Sequence, residues 1–122
     1  MAKYVFVFRY GAVAVEPPLS PSEMQAHLKK WYAWRDQLAQ AGHEPSGQPL
    51  ENTGKTLRGR GQVVTDGPFT ESKDLVTGTM LITSSSLDEA VELARGCPIY
   101  EFDGSVEVRP VLGGDPPRTD KR

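Results

Sequence analysis

Two Ser-x-x-Glu tetrapeptides, Ser20-Pro21-Ser22-Glu23 and Ser86-Leu87-Asp88-Glu89, punctuate this chain, and each stands between runs with the composition of strands. In such a capping box the serine hydroxyl accepts from the backbone N–H three residues on, while the glutamate reaches back to an N–H that the helix start leaves orphaned. Proline at the first helical position strengthens the first box, because its missing N–H costs nothing there. Two helices so placed, each between strands, leave few architectures open. The order predicted is strand, helix, strand hairpin, strand, helix, strand, which as two strand-helix-strand units side by side is an α+β, ferredoxin-like arrangement with both helices on one face of an antiparallel sheet.

The strands are read from composition and alternation. Residues 3 to 9, KYVFVFR, are β-branched and aromatic on both faces and suit a central strand. Residues 75 to 83, LVTGTMLIT, and Ser105 to Val111 give two more. Between Gly47 and Val64 the pattern is a ragged hairpin, roughly Gly47 to Leu50, Lys55 to Arg58 and Gly61 to Val64. Thr65-Asp66-Gly67-Pro68-Phe69 is a turn by every local rule. On the first helix the wheel lines up Met24, Leu28, Trp31, Leu38 and Ala41, and Gly42 is the expected stop. On the second, Leu87, Ala90, Val91 and Ala94 form the apolar stripe, ending at Gly96 before Pro98. Residues 1–112 are expected to form one domain and 113–122 a frayed tail.

Composition then removes whole classes of function. The net charge of −2 is spread along the chain, and the 14 lysines and arginines gather nowhere, so the concentrated basic field that nucleic acid or an anionic membrane requires is missing. The single cysteine, Cys97, can form no internal disulfide, and a lone thiol points to a reducing, cytoplasmic setting. Two histidines and one cysteine, far apart in sequence, match no metal-ligand spacing, and no cofactor motif is present.

Period-two parity sorts the sheet's faces. Tyr4, Phe6 and Phe8 can face the helices, leaving Lys3, Val5, Val7 and Arg9 on the far side; Val106 and Val108 likewise leave Ser105, Glu107 and Arg109 there. A face that centres on valines is too apolar for open water, and the expected remedy is a second copy of the chain.

Val64-Thr65-Asp66-Gly67-Pro68-Phe69, followed by Glu71 and Lys73, then Leu87-Asp88-Glu89-Ala90, Gly96-Cys97-Pro98 and Gly104-Ser105-Val106-Glu107-Val108-Arg109-Pro110, resembles the DGPF type of the YCII-related family. With Trp31 and Trp34 on the first helix, the resemblance runs from Tyr4 to Val111. It implies a ferredoxin-like fold that dimerises into an α+β barrel with a cleft at the sheet face. For function it implies less: some relatives are linked to regulators of the extracytoplasmic sigma-factor kind, and others resemble small degradative enzymes. The enzyme-like branch carries a His and Asp pair; His27 would take the histidine's place, but Cys97 stands where the aspartate would be.

Several residues remain as candidates, each with two readings. Asp66, held on a Gly-Pro turn beside Glu71 and Lys73, is either a positioned acid or base or the turn's own backbone partner. Glu107 and Arg109, joined by Arg9 on the same face, either line a cleft for an anionic ligand or pair across strands and fix register. His27 is a proton shuttle or a satisfied packing residue. Arg35, on the apolar stripe, either runs its stem past the core edge or reaches an acid in the cleft. Cys97 is expected to be buried and inert. The function expected is a small anionic-ligand binder, or an enzyme of proton-transfer or lyase-like chemistry using Asp66, Arg109 and His27, with Arg9, Glu71, Lys73 and Glu107 binding. The rival is a non-catalytic regulatory module that contacts another protein.

Overall fold

A computed structural model of the chain describes residues 1–10, 20–51, 53–67 and 75–113. Strand β1 (Ala2–Arg9) lies at the centre of a three-stranded antiparallel sheet. Strand β4 (Val76–Ser84) flanks it on one side and β5 (Ser105–Pro110) on the other. Helix α1 (Pro21–Gln40) follows β1, and α2 (Leu87–Ala94) follows β4. A short 3-10 helix (Pro98–Phe102) leads into β5. Strands β2 (Lys55–Arg58) and β3 (Val63–Asp66) form a separate two-stranded hairpin. The architecture is α+β with two helices and antiparallel sheets, consistent with a ferredoxin-like arrangement.

Both helix starts behave as capping chemistry requires, with one difference. The Ser20 hydroxyl accepts from Glu23 N, and Glu23 Oε1 accepts from Ser20 N at 2.9 Å. At α2 the Ser86 hydroxyl accepts from Glu89 N at 3.0 Å, but the Glu89 carboxylate turns further upstream, to the Ser85 N–H at 2.8 Å and the Ser84 hydroxyl at 2.5 Å. Ser84 is fully buried, so its hydroxyl requires a partner, and Glu89 supplies it.

The core forms where β1 meets the helices. Tyr4, Phe6 and Phe8 are buried with Met80 and Ile82 of β4, as the alternation predicts. Trp34 stacks on Phe6 with ring centroids 5.9 Å apart, and Trp31 meets Phe8 edge-on at 5.1 Å. Contacts of this kind contribute about 0.5–1.5 kcal/mol each beyond area burial. The wheel puts Met24 and Leu28 inward; both are exposed, and the buried face is His27, Trp34 and Leu38 with Trp31 half-buried beside them. The two indoles carry more apolar area than Met24 and Leu28, so α1 is turned to seat them on the phenylalanines.

The expected ragged hairpin divides in two. Gly47 to Leu50 does not pair with β2; this stretch lies along the free edge of β4. Ser46 and Leu81 exchange backbone hydrogen bonds of 2.9 and 2.6 Å, and Leu50 N donates to Thr77 O at 2.7 Å. Gly47 permits the approach, because a Cβ there would stand 2.1 Å from the Thr79 carbonyl oxygen. The register also runs later than predicted in the hairpin itself, where Val63–Asp66 replaces Gly61–Val64.

Neither helix covers the sheet's far face. Glu107 stands opposite Val7 and Arg109 opposite Val5, so the valines, Leu81 and these charges share one surface, as parity predicts. No helix of the described residues is long and apolar enough to cross a membrane.

Candidate functional site

Among the described residues, the far face holds the one charge cluster that the sequence-predicted site residues build together. Arg9 Nη1 donates to Glu107 Oε1 at 2.6 Å. The two are diagonal neighbours across β1 and β5, since Arg9 is opposite Ser105 and Glu107 opposite Val7. Arg109 Nε lies 3.7 Å from the other carboxylate oxygen, an ion pair too long for a hydrogen bond. Two guanidinium groups thus share one carboxylate. Its members differ in freedom: Arg9 is half-buried, whereas the Arg109 side chain is 68% exposed. The strand's alternation is what delivers both β5 charges to the same face as Arg9.

Asp66 lies elsewhere. It closes β3 directly opposite Lys55, and Lys55 Nζ bonds its carboxylate. The Asp66 side chain is 91% exposed, and Gly67 follows with a φ of +71°, the left-handed geometry that glycine adopts without strain. Gly67 N also donates to Gly54 O, so the residue after Asp66 closes the hairpin's base. Glu71 and Lys73, the other two residues expected near it, lie outside the described residues, as do Pro68 and Phe69.

His27 is on the other side of the sheet, packed under α1. Trp31 Nε1 donates to His27 Nε2 at 2.8 Å. An indole N–H can only donate, so Nε2 is the unprotonated nitrogen and the proton sits on Nδ1, which faces Glu101 Oε1 at 3.3 Å. Phe102 covers the ring, with centroids 4.4 Å apart. Both nitrogens are therefore occupied within the fold, and His27 does not join Arg109 or Asp66. Lys30 reaches the second oxygen of Glu101 at 2.8 Å, and that bond first, with His27 behind it, holds the Glu101 carboxyl below its ordinary range.

The pairing of Glu101 with Lys30 beside His27 was not legible, because no spacing rule links a helix to a 3-10 turn 71 and 74 residues away. With Trp34, Gln37 and Cys97 they line a cleft of about 310 Å³ between α1 and the 3-10 helix. Cys97 is buried there, and burial pushes its thiol up to about 12, far from the thiolate range a nucleophile uses. Arg35 reaches no acid: its guanidinium donates to the carbonyls of Gly47 and Pro45, at 3.2 and 3.4 Å, and ties α1 to the edge segment. His43 is buried too, with Nδ1 2.8 Å from Thr83 O, at the start of that segment. Among the described residues no three His, Cys, Asp or Glu side chains gather as metal ligands.

The far-face cluster can bind and orient an anion. A guanidinium presents a planar fork of donors that matches a carboxylate or phosphate. General acid or base chemistry has less support there, since neither His27 nor Asp66 is among its members.

An uncharacterized protein of Rhizobium meliloti (strain 1021) is 46% identical over 50 residues, which is 40% of this chain and 40% of that protein. The chain therefore aligns with well under half the length of that curated relative. The model of the YCII-related domain matches residues 2–113, which takes in every strand and helix described above. This chain belongs to the YCII-related family.

Proposed function

We propose that this protein acts as a homodimer joined through its sheet faces and binds a small organic anion at the Arg9, Glu107 and Arg109 cluster. One observation carries the reading: two arginines share a single carboxylate on a sheet face that neither α1 nor α2 covers. The half-buried Val5, Val7 and Leu81 beside them make that face a poor water-facing surface and a good floor for a closed cleft. Arg109 is the residue that meets the ligand, because its guanidinium makes no hydrogen bond among the described residues. Any catalysis would be proton transfer or a lyase-like step on an anion held there, with Asp66 brought in by assembly. The Asp66-Gly67-Pro68-Phe69 sequence supports the DGPF type of the family, and the lone, buried Cys97 supports a reducing, cytoplasmic setting.

The test is a thermal-shift panel of small carboxylates and phosphates on the wild type and on Arg109→Ala, with light scattering of both. A ligand at a hundred times its Kd stabilises by about 2.7 kcal/mol, a shift of several degrees in a domain of this size. At least one anion should raise the wild-type melting temperature and fail to do so in the variant. A panel without any shift, or shifts that persist in Arg109→Ala, would remove the binding reading.

A second reading, a regulatory module that contacts another protein, is favoured by one feature. Leu57, Val63 and Val64 on the β2–β3 hairpin are more than half exposed.

A further inference from the structure

The β2–β3 hairpin is turned inside out. Lys55, Leu57, Val64 and Asp66 share one face by register, and Thr56, Arg58, Val63 and Thr65 lie on the other, with Val63 at the open end beside the turn. A hairpin lying on its own chain ordinarily puts its apolar pair inward and its hydroxyls outward. Here the threonines are half-buried while Leu57 and Val64 are 61% and 54% exposed. The inward hydroxyls are satisfied locally, Thr56 by the Gly67 carbonyl at 2.9 Å and Thr65 by the Thr56 carbonyl. The outward apolar pair has no such answer, and a two-stranded hairpin is marginal without a surface to pack on.

We infer that Leu57 and Val64 pack against a second copy of this chain, making the hairpin the arm that completes the dimer. The inference rests on the sheet-face dimer proposed above, and area is what demands it. Four strand-like segments about 4.8 Å apart, with about eight residues rising 3.3 Å each, present roughly 500 Å² in plan. A specific interface needs about 800 Å² from each partner. In plan the sheet face is smaller than that, and among the described residues the hairpin, with Leu57, Val63 and Val64 more than half exposed, is one stretch with apolar surface to add. Charge favours a copy of the same chain over a charged partner. The pair is flanked by Lys55 and Asp66, which neutralise each other, so this face meets its own twin without like charges opposing. The arm also carries Asp66, so its docking brings that carboxylate to the partner's surface.

Sedimentation of three proteins separates the possibilities: the wild type, Leu57→Thr with Val64→Thr, and Val7→Lys. Threonine keeps the β-propensity of the hairpin while removing apolar surface, and circular dichroism with a melting curve confirms that each variant folds. The hairpin variant should dissociate at least about tenfold more readily than the wild type. In the wild type, amides of β2 and β3 should gain protection from hydrogen exchange as concentration rises through the dimer's range. A hairpin variant that dimerises like the wild type overturns this inference, and if Val7→Lys is then a monomer the sheet-face dimer stands without it. A wild type that stays monomeric at tens of micromolar overturns both. Loss of dimer in the hairpin variant with Val7→Lys unaffected sinks the sheet-face reading and leaves the arm. Hairpin amides that remain unprotected at every concentration, in a protein that does dimerise, would assign the patch to a different partner and end the proposal.

Discussion

Trp31 donates its indole N–H to Nε2 of His27 from one helical turn away, and Glu101 takes the imidazole's other side. A histidine with both nitrogens engaged and Phe102 over its ring is part of the packing. Replacing it with alanine leaves the indole N–H unanswered and a void beneath α1. His27→Ala should cost roughly 2–3 kcal/mol by urea denaturation, with His27→Gln losing less. Anion-induced thermal shifts should survive both changes. If they vanish in a stably folded His27→Gln, the residue belongs to the binding site after all.

Trp34 is the largest side chain of the buried core. It stacks on Phe6, and its Nε1 donates to the Leu93 carbonyl at 3.1 Å, joining α1 to α2. Trp34→Ala should lose about 3–5 kcal/mol, enough to unfold a domain of ordinary stability. Trp34→Phe keeps a ring but removes the indole donor, leaving the Leu93 carbonyl to the Gly96 N–H at 3.3 Å, and should lose about 0.5–1.5 kcal/mol for that hydrogen bond in the same assay.

Gly47→Ala tests the close approach of the edge segment to β4. With a φ of +149° and the Thr79 oxygen where a Cβ would go, the segment must lift away from β4. A loss of about 2–4 kcal/mol is expected, together with faster hydrogen exchange at Leu81, whose N–H bonds Ser46 O. A mild loss with Leu81 still protected would mean that the contact is looser than described.

Glu107→Gln separates stability from binding. The carboxylate is partly exposed, so breaking its pairs should change stability by no more than about 1 kcal/mol. The same substitution leaves two arginines without their shared counter-charge. Isothermal titration of any anion found to bind should therefore show tighter binding to Glu107→Gln than to the wild type, and weaker binding in Arg109→Ala. Equal affinities would argue that the cluster only fixes register.

Acid should weaken the fold through Glu89 and Glu101. Both carboxyls are held below the ordinary value of 4.5, Glu89 chiefly by the Ser84 hydroxyl and the Ser85 N–H, Glu101 chiefly by Lys30. A folded value below the unfolded one contributes stability that is present above the unfolded value and is lost as pH falls toward the folded one. The denaturation midpoint should thus hold from neutrality to about pH 5 and decline below it. Glu89→Gln should be less stable at pH 7 and decline less steeply in acid; an unchanged slope would show that this carboxylate contributes nothing to the pH dependence.

Most of the secondary structure was legible because its causes are local. Capping serines act over three residues, a strand's alternation over two, and Gly42 and Gly67 through their own backbone angles. The far-face cluster was legible for the same reason, since parity within β1 and β5 suffices to put Arg9, Glu107 and Arg109 on one surface.

What the sequence by itself determined is the α+β order, the places where the helices begin, the aromatic face of β1 and the charged end of its opposite face. Tertiary structure alone decided the rotation of α1, which buries Trp34 and exposes Met24, and the choice of Gly47–Leu50 to line β4 in preference to β2. It also decided the meeting of His27 with Glu101 and the outward turn of Leu57 and Val64. Each of these is a competition between surfaces distant in sequence. Periodicity states which residues share a face, but only packing decides which face loses its water.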